Sequence, residues 1–89
     1  MPTELNGGPT VDILNYKGYE IHATPYQLAE TSEWKIEIHI AVFRNDQIKS
    51  RQFIAGNRYK TREEAVQHCF NFGERIVDGQ VVNLSVADL

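Results

Sequence analysis

The sequence predicts an α+β domain: a three-stranded antiparallel β-meander followed by one α-helix packed on one face (β-β-β-α), with a short C-terminal fourth strand as an option. Three observations carry this. Trp34 to Phe43 alternates apolar and polar residues almost without a break, the period of a strand with one buried face. Residues 62–77 place apolar side chains at helical spacing behind a Thr-x-x-Glu start. The chain has 89 residues, and a globule of that size hides only about 60–65% of its unfolded surface, which suffices for one sheet-and-helix core.

Residues 1–14, with Gly7-Gly8-Pro9, hold turn formers without a sustained period and read as a flexible N-terminal arm. The domain proper runs from 15 to 79. Its first strand alternates Tyr19, Ile21 and Ala23 with Glu20, His22 and Thr24, and Pro25 ends it. "PYQLAETSE" is a connection to the second strand, where Trp34, Ile36, Ile38, Ile40 and Val42 face the core and Lys35, Glu37, His39, Ala41 and Phe43 face away. "RNDQ" supplies turn residues and "IKSRQFIA" a third strand, closing a hairpin. A three-residue loop buries Ile54, whereas a two- or four-residue loop buries Phe53; size favours Phe53.

Thr61 then opens the helix, with Glu64 placed to complete a capping box and Glu63 and Glu64 suited to the positive end of the helix dipole. Ala65, Cys69, Phe72 and Ile76 form its apolar stripe, flanked by Val66, Phe70 and Val77. Gly73 beside the stripe permits close approach to the sheet, and Gly79 is a stop. Residues 80–89 form an apolar tail that pairs as a strand, reaches a neighbouring subunit or folds back on its own domain.

The chemistry is sparse. No apolar run approaches the roughly 18 residues of a membrane span, and the start lacks the basic and apolar regions of a secretory signal, so a cytoplasmic protein without membrane contact is expected. The single cysteine, Cys69, suits a reducing compartment. No Gly-rich phosphate loop, HExxH or GxSxG occurs, and adjacent His68 and Cys69 diverge by about 100° on a helix. No catalytic residues and no cofactor are therefore expected.

The main reading is a non-enzymatic protein-interaction or regulatory module, self-association included. Its candidate surface is Ala41 and Phe43 on the open sheet face with Val82, Leu84 and Val86 of the tail. The alternative is a nucleic-acid-binding module: Arg44, Lys49, Arg51, Arg58, Lys60 and Arg62 are six of the nine basic residues and share one stretch, with Tyr59 and Phe43 for stacking. Glu63, Glu64 and a net charge of −3 oppose it.

A second alternative, a metal site, arises from the doubled Glu-Ile-His, Glu20 to His22 and Glu37 to His39. If paired positions sum to 59, Glu20 faces His39 and His22 faces Glu37; sums of 57 or 61 dissolve the cluster. A solvated alternation of acid and imidazole explains the same residues more simply.

Four stretches, "YKGYEI", the Trp34 strand, "YKTREEA" and "FGERIVDG", resemble a group of short bacterial α+β proteins with a Tyr-x-Gly-aromatic-x-Ile start, a Thr-x-Glu-Glu-Ala helix cap and an Ile-x-Asp-Gly helix end. More distantly the chain resembles the small bacterial family labelled HlyU. The resemblance spans roughly Tyr16 to Gly79 and implies a bacterial cytoplasmic protein; the HlyU label implies transcriptional activation. It brings no catalytic residues with it.

Overall fold

The computed structural model describes residues 12–87 and Leu89, so most of the expected arm lies outside the described residues. Among the described residues five strands precede one helix: β1 (Asp12–Tyr16), β2 (Tyr19–Ala23), β3 (Tyr26–Gln27), β4 (Trp34–Arg44), β5 (Gln47–Tyr59) and α1 (Arg62–Val77). The α+β class, the antiparallel sheet and the single helix after it agree with the sequence reading. The strand count does not.

Both extra strands have local causes. Lys17 and Gly18 adopt left-handed backbone (φ 51° and 86°) and join Tyr16 to Tyr19 by a two-residue turn whose twist matches its flanking strands. Asp12, Ile13 and Leu14 thus pair with Ala23, His22 and Ile21 and belong to the sheet rather than to an arm. The connection after Pro25 is itself a small hairpin. Tyr26 and Gln27 pair with Lys35 and Trp34, and Leu28 N–H donates to the Glu33 carbonyl at 2.7 Å.

β4 pairs with β2 and β3 along one edge and with β5 along the other. The β4–β5 turn holds two residues, Asn45 and Asp46 (φ 52° and 62°), side chains that tolerate left-handed backbone. That loop length decides the register. Phe53 lies opposite Ile38 and is 5% exposed, while Ile54 is 55% exposed. Toward the far end the ladder shifts between Lys35 and Ile36, leaving Gly56 and Asn57 without partners on β4.

Ile36, Ile38, Ile40 and Val42 are buried, and Trp34 at the strand end is half-buried. Over them lies α1, whose Thr61 hydroxyl accepts from Glu64 N–H (3.1 Å) and donates to the Glu64 carboxylate (3.4 Å). At its other end Gly79 (φ 74°) donates to the Ile76 carbonyl and Gln80 to the Arg75 carbonyl, a Schellman closure. The Asp78 carboxylate accepts from Lys17 Nζ (2.7 Å) and Tyr16 OH (2.8 Å), tying the β1–β2 turn to the helix end. The Lys17 hydrogen bond, with that of Tyr16, holds the Asp78 carboxyl below the usual carboxylate range.

No strand forms among the described tail residues, so the optional fourth strand is not built. Val86 and Leu89 fold back into the core at 5% and 8% exposure, satisfying their apolar surface inside the chain.

The helix stripe also differs by one position: Gly73 is buried with Ala65, Cys69 and Ile76, and Phe72 is displaced to partial burial. A Cβ at Gly73 would stand 2.5 Å from Ile21 Cγ2, inside a side chain that is fully buried. Gly73→Ala is therefore expected to lower stability by about 1–2 kcal/mol, overpacking outweighing the roughly 1 kcal/mol gained in helix propensity. Urea denaturation checks this, and in an Ile21→Ala background the same substitution should cost measurably less.

Candidate interaction surface

Side chains alternate along a strand, so the register that buries Ile21, Ile38, Ile40 and Phe53 under α1 sends the intervening residues to the uncovered side. Among the described residues six large apolar side chains are exposed: Ile13, Tyr26, Phe43, Ile48, Ile54 and Val82. The pairings place the first five on that one face, since Ile13 pairs with His22, Tyr26 with Lys35, Phe43 with Ile48 and Ile54 with Glu37. Phe43 and Ile48, 66% and 73% exposed, stand side by side near the hairpin tip.

Beneath them runs a shallow groove of about 350 Å³ bounded by Asn15, Tyr19, Glu20, Ala41, Phe43 and Ile48. A second hollow of about 310 Å³ shares Glu20, Ala41 and Ile48 and continues to His22, His39 and Ser50. Ala41, only 8% exposed, forms their common floor. The predicted tail residues divide: Val82 is open at 84%, Leu84 is half-buried against the core and Val86 belongs to the core.

The polar residues of the face do not take the arrangement a metal would need. β2 and β4 pair with positions summing to 61, so His22 faces His39 and Glu20 faces Ala41. Each imidazole turns to the carboxylate two residues away on its own strand: His22 Nε2 lies 3.0 Å from Glu20, and His39 Nε2 lies 3.5 Å from Glu37. Among the described residues no three His, Cys, Asp or Glu side chains gather as a ligand set.

The six basic residues do not form a single patch. Arg44 at the hairpin tip donates to the Tyr19 hydroxyl (3.2 Å) on the helix side, and Lys49 and Arg51 share that side of β5, with Arg51 reaching the Ser85 carbonyl at 3.5 Å. Arg58 stands on the opposite side, 3.5 Å from Glu33. Lys60 and Arg62 are at the far end, where Arg62 pairs with Asp12 at 3.2 Å. Tyr59 stacks on His68 with ring centroids 4.2 Å apart, so its ring is already engaged.

Ile13, Tyr26, Ile48 and Ile54 escape sequence reasoning because β1 and β3 do, and because the hairpin register stays open. The signal was present in Asn45-Asp46: read as a two-residue turn, it places Ile48 beside Phe43.

Cys69, fully buried with Sγ 3.5 Å from the Glu37 carbonyl, has its thiol pushed up to about 11, burial being the main cause. His68 points outward to Tyr59, so the two neighbours share no site. The folded protein is expected to resist thiol reagents at pH 8, with labelling that tracks global unfolding in a denaturant series. Fast labelling under native conditions would contradict the burial.

Fold and surface together define a two-layer α+β domain with one open, partly apolar sheet face. The model of a family described as transcriptional activator HlyU matches residues 3–84, and the chain belongs to that family. The family is one of transcriptional regulators and not of enzymes. No curated protein and no solved structure matches the chain. Among the described residues no helix is long and apolar enough to cross a membrane.

Proposed function

We propose that this chain is a transcription-regulatory module that acts by binding a protein surface through the uncovered face of its sheet. The supporting observation is the gathering of Ile13, Tyr26, Phe43, Ile48 and Ile54 on that face. Scattered exposed apolar residues are ordinary, whereas an adjacent exposed pair such as Phe43 and Ile48, beside the low floor of Ala41 and within an otherwise polar face, marks an interaction site. Family membership supplies the regulatory context. Transcription can be activated through a protein contact as well as through DNA.

Direct nucleic-acid binding is the second reading, favoured by the family description and by Lys49 and Lys60, which have no ion-pair partner among the described residues. Against it, the basic residues are split between two faces and both ends of the hairpin. The first turn of α1 exposes Glu63 and Glu64, a poor fit for phosphate.

Transcript profiling of a deletion strain separates the two readings. The wild-type chain is expected to restore the profile, Phe43→Glu with Ile48→Glu to fail at normal protein abundance, and Lys49→Ala with Lys60→Ala to restore it. Full restoration by the face variant overturns the proposal. Failure by the lysine variant alone transfers the function to nucleic-acid contact.

A further inference from the structure

We infer that the occupant of the uncovered sheet face is a second copy of this chain, stacked face to face so that two β-sheets form the middle of a four-layer α/β/β/α sandwich. This rests on the reading of that face as a binding surface. The molecule is a slab, 37 × 34 × 17 Å, with a helix on one side of its sheet and no described element on the other. Exposed apolar side chains on a sheet face gain by being covered, and domains supply such cover by adding a layer.

Size, charge and shape each point to a copy. Four strands at about 4.8 Å spacing and some nine residues at about 3.3 Å give a face of roughly 19 by 30 Å, or ~600 Å² before side-chain relief is counted. That approaches the ~800 Å² per partner of a standard interface. The chain carries −3 overall, yet this face sets Glu20 and Glu37, with Glu33 beside it, against Lys35 and Arg58, so it carries charges of both signs and lacks the single-sign field that would repel a second copy. Two copies of one sheet also share the same twist, which lets aligned sheets pack at about −30° with side chains interdigitating.

The apolar residues are spread over the face. Phe43 and Ile48 lie at the hairpin tip, Ile13 at the β1 edge, and Tyr26 and Ile54 toward the other end. An isologous contact between two copies brings each of these residues into the interface twice.

Light scattering of the full chain from micromolar to millimolar concentration is expected to show a mass approaching twice 10.2 kDa. Phe43→Glu with Ile48→Glu should weaken association at least tenfold. Gln67→Glu, a charge placed on the outward side of α1, should leave it unchanged. Spin labels at Gln67→Cys, on the outward side of α1, are expected at about 30–40 Å, because sheet–sheet and sheet–helix layers are each about 10 Å apart. Buried Cys69 stays unlabelled in this experiment.

A strictly monomeric wild type, dimers that survive the double charge substitution, or labels closer than about 20 Å each overturn the inference. Monomeric wild type with regulation still lost in the face variant means that a different protein covers the face, and the functional reading survives. Dimers lost in a variant that regulates normally mean the reverse.

Discussion

The structure depends on β4 being hydrogen-bonded along both edges. β5 pairs with it from Trp34 to Arg44, β2 and β3 take the opposite edge, and β1 is held through β2. The strand's strict alternation then determines both sides of the domain at once. Ile36, Ile38, Ile40 and Val42 are sealed under α1, which forces Lys35, Glu37, His39, Ala41 and Phe43 to the other side. A register slip of one residue would exchange the two sets. The core and the candidate binding surface are therefore two consequences of one hydrogen-bond ladder.

Contact between sheet and helix adds the second constraint. Gly73 lets α1 settle onto Ile21 at a distance no Cβ would allow, and this close approach sets the depth at which Ala65, Cys69 and Ile76 are buried. The clamp from Asp78 to Lys17 and Tyr16 ties the helix end to the β1–β2 turn. Val86 and Leu89 extend the same core from the tail. All of this apolar burial lies on one side of the sheet, and nothing comparable from the described chain lies on the other.

The long elements were legible because their periodicities run uninterrupted. Ten residues of alternation identify β4, and Thr61, Glu64 and Gly79 bracket α1. β1 and β3 were not legible. Asp12–Tyr16 mixes apolar and polar residues on both faces over five positions, and Tyr26–Gln27 is two residues held by pairing to β4 rather than by any pattern of its own. The basic stretch shows the complementary failure. Closeness in sequence suggested a patch, but a hairpin sends alternate residues to opposite faces and separates Arg44 from Lys60 by the length of β5. For the Glu-Ile-His pairs, two positions of register decided between facing imidazoles and a mixed cluster, and no local signal fixes that.

Why association should use the face rather than an edge follows from β5. This outer strand is 13 residues long and unpaired along one side, the kind of edge through which sheets join end to end. It carries Lys49, Arg51 and Arg58 and no acidic residue, so two copies brought edge to edge would crowd six positive charges along one seam. The unpaired Gly56 and Asn57 also interrupt the regular ladder that a second strand would need. The irregularity does not obstruct the face, where Glu20, Glu33 and Glu37 stand against Lys35 and Arg58 and where Phe43 and Ile48 gain most from leaving water. Edge protection and face exposure thus act in the same direction: one closes the route to open-ended sheet growth, and the other leaves a bounded surface that a single partner can fill.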